Sequence, residues 1–369
     1  MKILITGAKG FIGLNLVAEL RSQGFTNLLQ YDIDSEPELL NEYARDCGFV
    51  YHLAGVNRPE NPDDFMSGNF GFTGQLLNAL KKYNNKAPVL ITSSIQAQLD
   101  NLYGKSKKAG EELLNQYSQE TGAPVYIYRL PNVFGKWSRP NYNSAVATFC
   151  YNIANNIPIQ LNDPNVQMNL VYIDDVVKSF IGKLKNGEKE ELDFGQVSPV
   201  FQIKLGEIAA LISSFNESRD NLQIPDMGDE FTKKLYSTYL SFLPTGKFSY
   251  PLKMNTDERG SFTEFLKSKE RGQVSINISK PGITKGNHWH HTKNEKFLVV
   301  SGKGVIRFRR FNTSEIFEYH VSGNQLEVVD IPVGYSHNIE NLGETDMVTV
   351  MWVNEIFDKN TPDTYFEKV

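Results

Sequence analysis

A tyrosine and a lysine four residues apart are the first side chains in this sequence whose spacing suits chemistry. Tyr103 and Lys107 open a helix-like stretch and therefore lie on one helical face. An ammonium near a phenol stabilises the phenolate, which predicts a lowered pKa for Tyr103 and acid–base chemistry near neutral pH. Ser94, nine residues upstream at the end of an apolar run, is placed to hydrogen-bond the reacting oxygen. Together they predict a proton-transfer group.

A glycine-rich segment near the start of the chain predicts a phosphate site. It runs Thr6-Gly7-Ala8-Lys9-Gly10-Phe11-Ile12-Gly13. Glycines allow a tight turn and a close approach to a pyrophosphate, which then rests on helix N-terminal amides. Asp32 closes the second strand about 20 residues on, where a carboxylate bonds the adenosine ribose hydroxyls. Lys9 is a cation suited to a 2′-phosphate, so these residues leave NADH and NADPH both open.

Histidines and a carboxylate in the last quarter of the chain have the spacing of metal ligands. His288 and His290 alternate, so they share one face of an extended segment. Glu295 and His337 are placed to close around the same point from neighbouring strands. Three imidazoles and one carboxylate suit Zn, Fe, Mn or Ni, and ligand softness alone does not choose between them. His291 is merely adjacent in sequence.

Short apolar runs alternate with helical patterns through the first half of the chain. This rhythm predicts βαβ units and a parallel sheet. The predicted strands are Lys2–Thr6, Asn27–Tyr31, Phe49–Leu53, Val89–Thr92 and Val125–Arg129. The predicted helices include Ile12–Gln23, Phe70–Tyr83 and Lys105–Glu120.

From Asp257 onward the pattern changes to strands bounded by Gly, Pro and Asn, with hardly a helix between them. The predicted strands include Gln273–Ser279, Glu295–Ser301, Gly304–Phe311 and Met347–Val353. Such a series predicts a β-sandwich or barrel. We expect one domain over residues 1–243 and a second over residues 252–369, joined by a proline-containing linker.

Composition limits the classes of partner. The 369 residues are 40% hydrophobic and 22% charged, as in soluble globular proteins. A net charge of −5 with no cationic cluster argues against a nucleic-acid partner, and no apolar run reaches the roughly 20 residues that span a bilayer. The N-terminus lacks a signal-peptide pattern, and Cys47 and Cys150 are too few for a disulfide framework. We expect a cytoplasmic protein.

The first half resembles the extended short-chain dehydrogenase/reductase family. Its matching segments, in family order, are residues 6–13, His52-Leu53-Ala54-Gly55, Asn69 with Thr73, Ser94, Tyr103 with Lys107, residues 129–135 and Tyr172-Ile173-Asp174-Asp175-Val176. The resemblance implies a Rossmann-type fold with Tyr103 as proton donor, Lys107 on the nicotinamide ribose and Ser94 on the keto oxygen. It also places Leu53 and Ala54 at the cofactor, and Asn132 and Arg139 at the nucleotide of a sugar-nucleotide substrate.

Two local features favour a reductase within that family. Sugar-nucleotide dehydratases carry an Asp-Glu pair after the catalytic hydroxyl, whereas this chain has Ile95-Gln96. The span from Asp32 to the next strand at Phe49 is long enough for only one helix. That layout is similar to the dehydrorhamnose reductases more than to the 4-epimerases.

The second half resembles the cupins, which implies an all-β jelly-roll barrel. The metal-ligand spacing matches the two cupin motifs, and the segments 257–262 and 285–290 are similar to those of dehydrorhamnose 3,5-epimerases. Segment 285–290 is also similar to that of the sugar-nucleotide 3,4-ketoisomerases. In such relatives the position of His288 serves either as a metal ligand or as the catalytic base. The base is therefore open between His288, His291, Lys285 and Tyr335, and Arg259 would contact the pyrophosphate.

The fusion of these two domains is similar to that of bifunctional capsular polysaccharide synthesis enzymes. This resemblance implies a UDP-2-acetamido-2,6-dideoxy-4-hexulose substrate on the route to UDP-N-acetyl-L-fucosamine, with NADPH, zinc and a homodimer. The cupin would epimerise C3 and the reductase would reduce the C4 ketone. The alternative is an NAD-dependent sugar-nucleotide 4-epimerase with a non-catalytic, metal-braced cupin for dimerisation.

Overall fold

The computed structural model describes residues 1–186 and 192–369. They divide into two compact units, Met1–Ser213 with Asp229–Pro244, and Ser214–Gly228 with Thr245–Val369. The main division after Pro244 lies within the linker that the sequence predicts. The short segment Ser214–Gly228, which the predicted boundaries assign to the first domain, is grouped with the second unit.

The first unit is built on a six-stranded parallel sheet with strand order β2-β1-β3-β4-β5-β8. Its strands are β1 (Ile3–Thr6), β2 (Leu28–Tyr31), β3 (Phe49–His52), β4 (Val89–Ser94), β5 (Val125–Leu130) and β8 (Leu192–Gly195). A small second sheet contains β6 (Asn132–Phe134), β7 (Gln167–Tyr172) and β9 (Phe201–Lys204).

Most of the helices follow a strand of one of these two sheets. The helices are α1 (Phe11–Ser22), α2 (Glu38–Asp46), α3 (Phe72–Lys82), α4 (Leu102–Thr121), α5 (Ala145–Ala154), α6 (Ile173–Asn186), α7 (Leu205–Asn221) and α8 (Glu230–Leu240). Only α2 lies between β2 and β3, as the short spacing predicts. The predicted strands and helices of this half are all present, with ends shifted by a few residues.

Both faces of the large sheet are buried, which explains its continuous apolar strands. Ile3 and Ile5 pack on one side with residues of α1 and α6. Leu4 points to the other side, among residues of α2, α3 and α4. β2 lies on one side of β1 and β3 lies on the other, so the direction of the connections reverses at β1. Such a reversal opens a crevice at the carboxyl ends of the strands. The glycine-rich segment lies directly after β1.

The second unit contains two antiparallel sheets, with strand orders β10-β11-β12-β19-β14-β17 and β16-β15-β18-β13-β20. The strands are β10 (Met254–Asp257), β11 (Gly260–Ser268), β12 (Gly272–Ser279), β13 (Thr284–Trp289), β14 (Glu295–Ser301), β15 (Lys303–Arg310), β16 (Ile316–Ser322), β17 (Val328–Ile331), β18 (Tyr335–Asn341), β19 (Met347–Val353) and β20 (Tyr365–Phe366). Phe297, Ile306 and Phe308 are among the apolar side chains of its core. The predicted all-β domain of cupin type is confirmed.

Candidate active sites

The glycine-rich segment folds into a loop that side chains would block. Gly7 has φ +69°, and a Cβ there would lie 2.7 Å from the Ala54 nitrogen. A Cβ on Gly13 would lie 2.2 Å from the Gly7 carbonyl oxygen. Gly10 precedes α1 and offers no side-chain cap, which leaves the first amides of the helix to bind another acceptor. The loop fits a dinucleotide pyrophosphate for these reasons.

Acidic side chains and one lysine meet beside this loop at the end of β2. The Asp32 carboxylate accepts the Lys9 backbone N–H at 2.7 Å, so it ties β2 to the loop. The Lys9 ammonium donates to the Asp34 carboxylate. Sequence reasoning singled out Asp32 and Lys9 but missed Asp34, which stands two residues further on.

A buried histidine links the carboxyl ends of β1 and β3. His52 Nδ1 lies 2.8 Å from the Thr6 hydroxyl, and Nε2 lies 2.8 Å from the Thr73 hydroxyl. Thr73 donates its own proton to the Asn69 carbonyl, so His52 Nε2 carries the proton that Thr73 accepts. Burial, reinforced by the charge of Lys107, lowers the pKa of His52 to about 3. The neutral imidazole is thus a structural link beneath the site.

The structure brings Ser94, Tyr103 and Lys107 together. Ser94 ends β4, and Tyr103 and Lys107 lie on the first turns of α4, which Asn101 caps by accepting the Gly104 N–H at 2.7 Å. The Lys107 nitrogen donates to the Thr92 carbonyl at 3.2 Å and lies 5.8 Å from the centre of the Tyr103 ring.

The protonation of this group differs from the expectation drawn from the spacing. Burial raises the pKa of Tyr103, and the hydroxyl of Ser94 only partly opposes it. Burial also lowers the pKa of Lys107 to about 8, while the charge of Glu111 acts in the opposite direction. Burial is therefore the largest influence on the pKa of both groups, and Tyr103 holds its proton near neutral pH.

Two residues beside Lys107 were not identified as site residues from sequence. The Asn69 amide accepts the Val56 N–H at 2.9 Å and donates to the Ser106 hydroxyl at 2.9 Å. A Cβ on Gly55 would lie 2.9 Å from the Lys107 nitrogen and 2.8 Å from Asn69 Oδ1. Gly55 thus leaves the space that the lysine head group occupies.

The predicted substrate residues of the first unit lie on exposed backbone after β5. Asn132 begins β6, and Arg139 stacks its guanidinium 5.1 Å over the Tyr142 ring. Tyr142 in turn is close enough to Tyr103 for a charge there to raise the pKa of Tyr103. Tyr142 is a further candidate contact that the sequence motifs did not indicate.

The four predicted metal ligands converge in the second unit. One nitrogen or oxygen from each of His288, His290, Glu295 and His337 lies within 4.8 Å of the others. Glu295 Oε2 lies 3.3 Å from His337 Nε2 and 3.6 Å from His290 Nε2. All but His288 are buried.

These atoms fit a divalent cation. His290 Nε2, Glu295 Oε2 and His337 Nε2 are buried and have no hydrogen-bond partner among the described residues. Buried polar atoms without partners are costly, and metal coordination would satisfy all of them at one point. Three imidazoles with one carboxylate form a donor set that suits zinc and its neighbours in the first transition row.

A β-bulge turns Lys285 to the side of β13 on which His288 lies. Gly286 pairs with Asn338 and His288 pairs with His337, so Asn287 is an extra residue in β13. Asn287 has φ +60°, a region that asparagine tolerates better than most residues. Lys285 and His288, three residues apart, therefore both face inward, although simple alternation puts them on opposite sides.

These side chains line a cavity of about 460 Å³ within the second unit. Of the four candidate bases, Lys285 and His288 line it, and so does Lys293, which sequence reasoning missed. His291 is exposed and packs against Trp289, and Tyr335 is not among the cavity-lining residues. Burial lowers the pKa of His288 to about 4, with His337 and His290 adding to the effect.

Cationic groups stand at another part of the cavity wall. The Lys285 nitrogen donates to Asn277 Oδ1 and to the Ile278 carbonyl, both at 2.8 Å. The Arg259 guanidinium also lines the cavity and donates to the Asp257 carboxylate at 2.6 Å and 3.0 Å. Both cations suit an anionic ligand group.

None of the helices within the described ranges combines the length and the apolar character needed to cross a bilayer.

Comparison with known proteins follows the same division of the chain. Residues 3–194 match the model of the NAD dependent epimerase/dehydratase family. The chain belongs to this family. Residues 255–365 match the polysaccharide biosynthesis C-terminal domain. Family membership establishes a nicotinamide cofactor for the first unit.

Relatives that share both domains include a Pseudomonas aeruginosa protein named UDP-2-acetamido-2,6-beta-L-arabino-hexul-4-ose reductase. It is 48% identical over 365 residues, which cover 99% of this chain and 98% of the relative. The crystal structure of the capsular polysaccharide assembling protein CapF from Staphylococcus aureus is 56% identical, with TM-score 0.94 and full coverage of both chains. A structure of CapF with the inhibitor 3-isopropenyl-tropolone has 52% identity and TM-score 0.89 over both full lengths. The chain is a CapF-like enzyme.

Proposed function

We propose that this enzyme converts a UDP-2-acetamido-2,6-dideoxy-4-hexulose in two steps on the route to UDP-N-acetyl-L-fucosamine. Its second domain inverts C3, and its first domain reduces the C4 ketone with NADPH. The observation that carries the proposal is the 48% identity to a UDP-4-keto-hexulose reductase across both domains. The grouping of Ser94, Tyr103 and Lys107 and the inward-facing histidines supply the side chains that these steps need.

In the reductase step, Tyr103 delivers a proton to the C4 oxygen and Ser94 hydrogen-bonds that oxygen. The raised pKa of Tyr103 suits a proton donor, because the phenol stays protonated at neutral pH. The bound cofactor supplies the hydride. Lys107 holds the nicotinamide ribose, and residues 7, 9–13, 32, 53 and 54 hold the remainder of the dinucleotide. Asn132, Arg139 and Tyr142 contact the uridine nucleotide.

NADPH is preferred to NADH in this proposal. Lys9 supplies a cation at the end of β2, and the Asp32 carboxylate is engaged by the Lys9 backbone N–H. A carboxylate already bonded to the loop is less available to a ribose hydroxyl. The resemblance to NADPH-dependent capsular enzymes agrees with this choice.

In the epimerase step, a base in the cavity removes the C3 proton, which the C4 ketone acidifies, and a proton returns on the other face. His290, Glu295 and His337, with His288, hold a divalent metal, which we propose is zinc. A bound cation supplies either Lewis acidity or a brace for the fold. A ligated nitrogen of His288 cannot also take the C3 proton, which would leave Lys285 or Lys293 as the base. Arg259 binds the pyrophosphate.

Mass spectrometry of products from UDP-4-keto-sugars, with NADPH, NADH or neither, tests this function. We expect NADPH-dependent gain of two hydrogens and, in heavy water, one deuterium at C3. A UDP-sugar with a C4 hydroxyl, offered in parallel and isomerised at C4 without consumption of NADPH, would favour the 4-epimerase alternative. We further propose that the enzyme works in the cytoplasm as a homodimer, which sedimentation and cell fractionation test.

A further inference from the structure

The last residues of the chain run along the strand that carries His288. In this segment β20 pairs with β13, with Phe366 opposite His288 and Tyr365 opposite Trp289. The Glu367 N–H donates to the Asn287 carbonyl at 2.9 Å, at the bulge described above. The C-terminal segment is therefore hydrogen-bonded to the backbone of the metal site.

One residue of this segment, Asp363, makes an unusual number of contacts with the chain that follows β13. Its carboxylate accepts the N–H groups of His291, Thr292 and Lys293 at 2.7–3.1 Å and the Thr292 hydroxyl at 3.1 Å. Its backbone carbonyl accepts the Nδ1–H of His290. Residues 291–293 have no regular secondary structure of their own, so these bonds help to hold their backbone, together with the Asn354 amide, which donates to the Thr292 carbonyl at 3.3 Å.

The contacts of Asp363 act on one candidate metal ligand, His290, and on one lysine of the cavity wall, Lys293. Donation from His290 Nδ1 leaves the lone pair on Nε2, the atom that is buried without a partner and aimed at Glu295. Hydrogen bonds of this kind orient a ligand histidine and set its tautomer. The turn of residues 291–293, which the Asp363 carboxylate holds, also contains Lys293. The Lys293 ammonium lies 3.5 Å from Glu295 Oε1 on the cavity wall.

We propose that Asp363 is a positioning residue for the second active site. Its carbonyl orients His290, and its carboxylate holds the turn that places Lys293 beside Glu295. The C-terminal segment thereby helps to position the side chains of the site. This inference rests on the metal site proposed above and deepens it.

Asp363→Asn in the full-length protein tests the proposal. The asparagine NH₂ is a donor, and it would face the backbone N–H groups of residues 291–293, which are donors too. The turn therefore loses some of the hydrogen bonds that hold it. Asp358→Asn is the matched control, because Asp358 lies in the same segment and its carboxylate accepts, among the described residues, only from Asn360 and Thr361. The probes are the rate of zinc transfer to a chromogenic chelator and the d–d spectrum of the Co²⁺-loaded protein.

We expect Asp363→Asn to release zinc roughly 10- to 100-fold faster and to alter the Co²⁺ spectrum, while Asp358→Asn matches the wild type. Equal release rates and spectra in all three proteins would overturn the role of Asp363 but leave the proposed function intact. A wild type that binds neither metal would overturn the metal site and this inference together. If Asp363→Asn does not fold, Asp363→Glu, which displaces the carboxylate by one methylene, is measured with the same expectations.

Discussion

At the scale of single residues, the space around Lys107 decides whether the reductase group assembles. The lysine nitrogen is enclosed by the Thr92 carbonyl, the Asn69 amide and the Cα of Gly55. The local spacing of Tyr103 and Lys107 predicts their shared helical face. The enclosure depends on Gly55, which follows β3, and on Asn69, which precedes α3. Both are distant in sequence from Lys107, and no spacing rule indicates the enclosure.

Gly55→Ala tests this enclosure. The added Cβ would lie within 3.0 Å of both the Lys107 nitrogen and Asn69 Oδ1, so one of them must move. We expect the rate of ketone reduction to fall roughly 10- to 100-fold, because small displacements of catalytic groups have effects of this size. Gly182→Ala in α6, where a Cβ has open space, is the control and should keep the wild-type rate. An unchanged rate in Gly55→Ala would show that Lys107 is not held in this way.

Lys107→Met tests the buried charge through the pH dependence of stability. Lys107 titrates at about 8 in the folded protein against 10.5 in the unfolded chain. Between these values the unfolded chain binds more protons, so wild-type stability rises with pH by on the order of 3 kcal/mol from this group. The variant lacks that rise.

The measurement for Lys107→Met is the difference in thermal midpoint from the wild type at pH 7 and at pH 10. We expect the thermal midpoint of the wild type, relative to that of the variant, to be higher at pH 10 than at pH 7. Lys108→Met, at an exposed position on the same helix, is the control. A difference that does not change with pH, or that changes in the other direction, would contradict a depressed pKa.

At the scale of elements, the bulge in β13 brings candidate site residues of the second domain to one side of the strand. In a regular strand without the bulge, Lys285 and His288, which are three residues apart, would face opposite sides. The bulge also receives the end of the chain, since Asn287 Oδ1 accepts from Asn338 and from the Val369 N–H.

Asn287→Val tests the bulge. A β-branched residue at φ +60° is strained by about 1–3 kcal/mol and has no side-chain acceptor. We expect lower thermal stability together with at least roughly tenfold weaker zinc binding. Asn312→Val, at an exposed position with the same φ, should lose similar stability while it keeps its zinc. Equal zinc affinity in the two variants would show that the bulge does not organise the ligands.

At the scale of the whole molecule, the two activities are ordered by the chemistry of the sugar. C3 is acidic only while C4 is a ketone, so epimerisation must precede reduction. Each active site is built within its own unit, and the order requires no communication between them.

Tyr103→Phe tests this order. The variant lacks the proton donor, so we expect reduction to fall more than tenfold, a barrier increase above about 1.4 kcal/mol, while NADPH still binds. In heavy water it should nevertheless exchange the C3 proton and accumulate epimerised ketone, as NMR of the reaction would show. Absence of deuterium at C3 in a folded, metal-loaded variant would show that the second domain is not an epimerase.

The sequence by itself predicted a parallel α/β half followed by an all-β half, and it indicated the principal candidate residues of each. Tyr103 and Lys107 are neighbours on one helix, and His288 and His290 alternate on one strand, so the period of a single element brings each pair together. The glycines of residues 7–13 are recognisable because the loop closes only where residues lack a Cβ.

Only the tertiary structure decided how these groups are supported. His52 joins β1 to α3, Asn287 shifts Lys285 into the cavity, and Asp363 holds the turn after His290 across more than seventy residues. The pKa of Tyr103 likewise follows from burial rather than from its spacing to Lys107. Such contacts join distant parts of the chain and have no period in the sequence, so they are known only once the strands are packed.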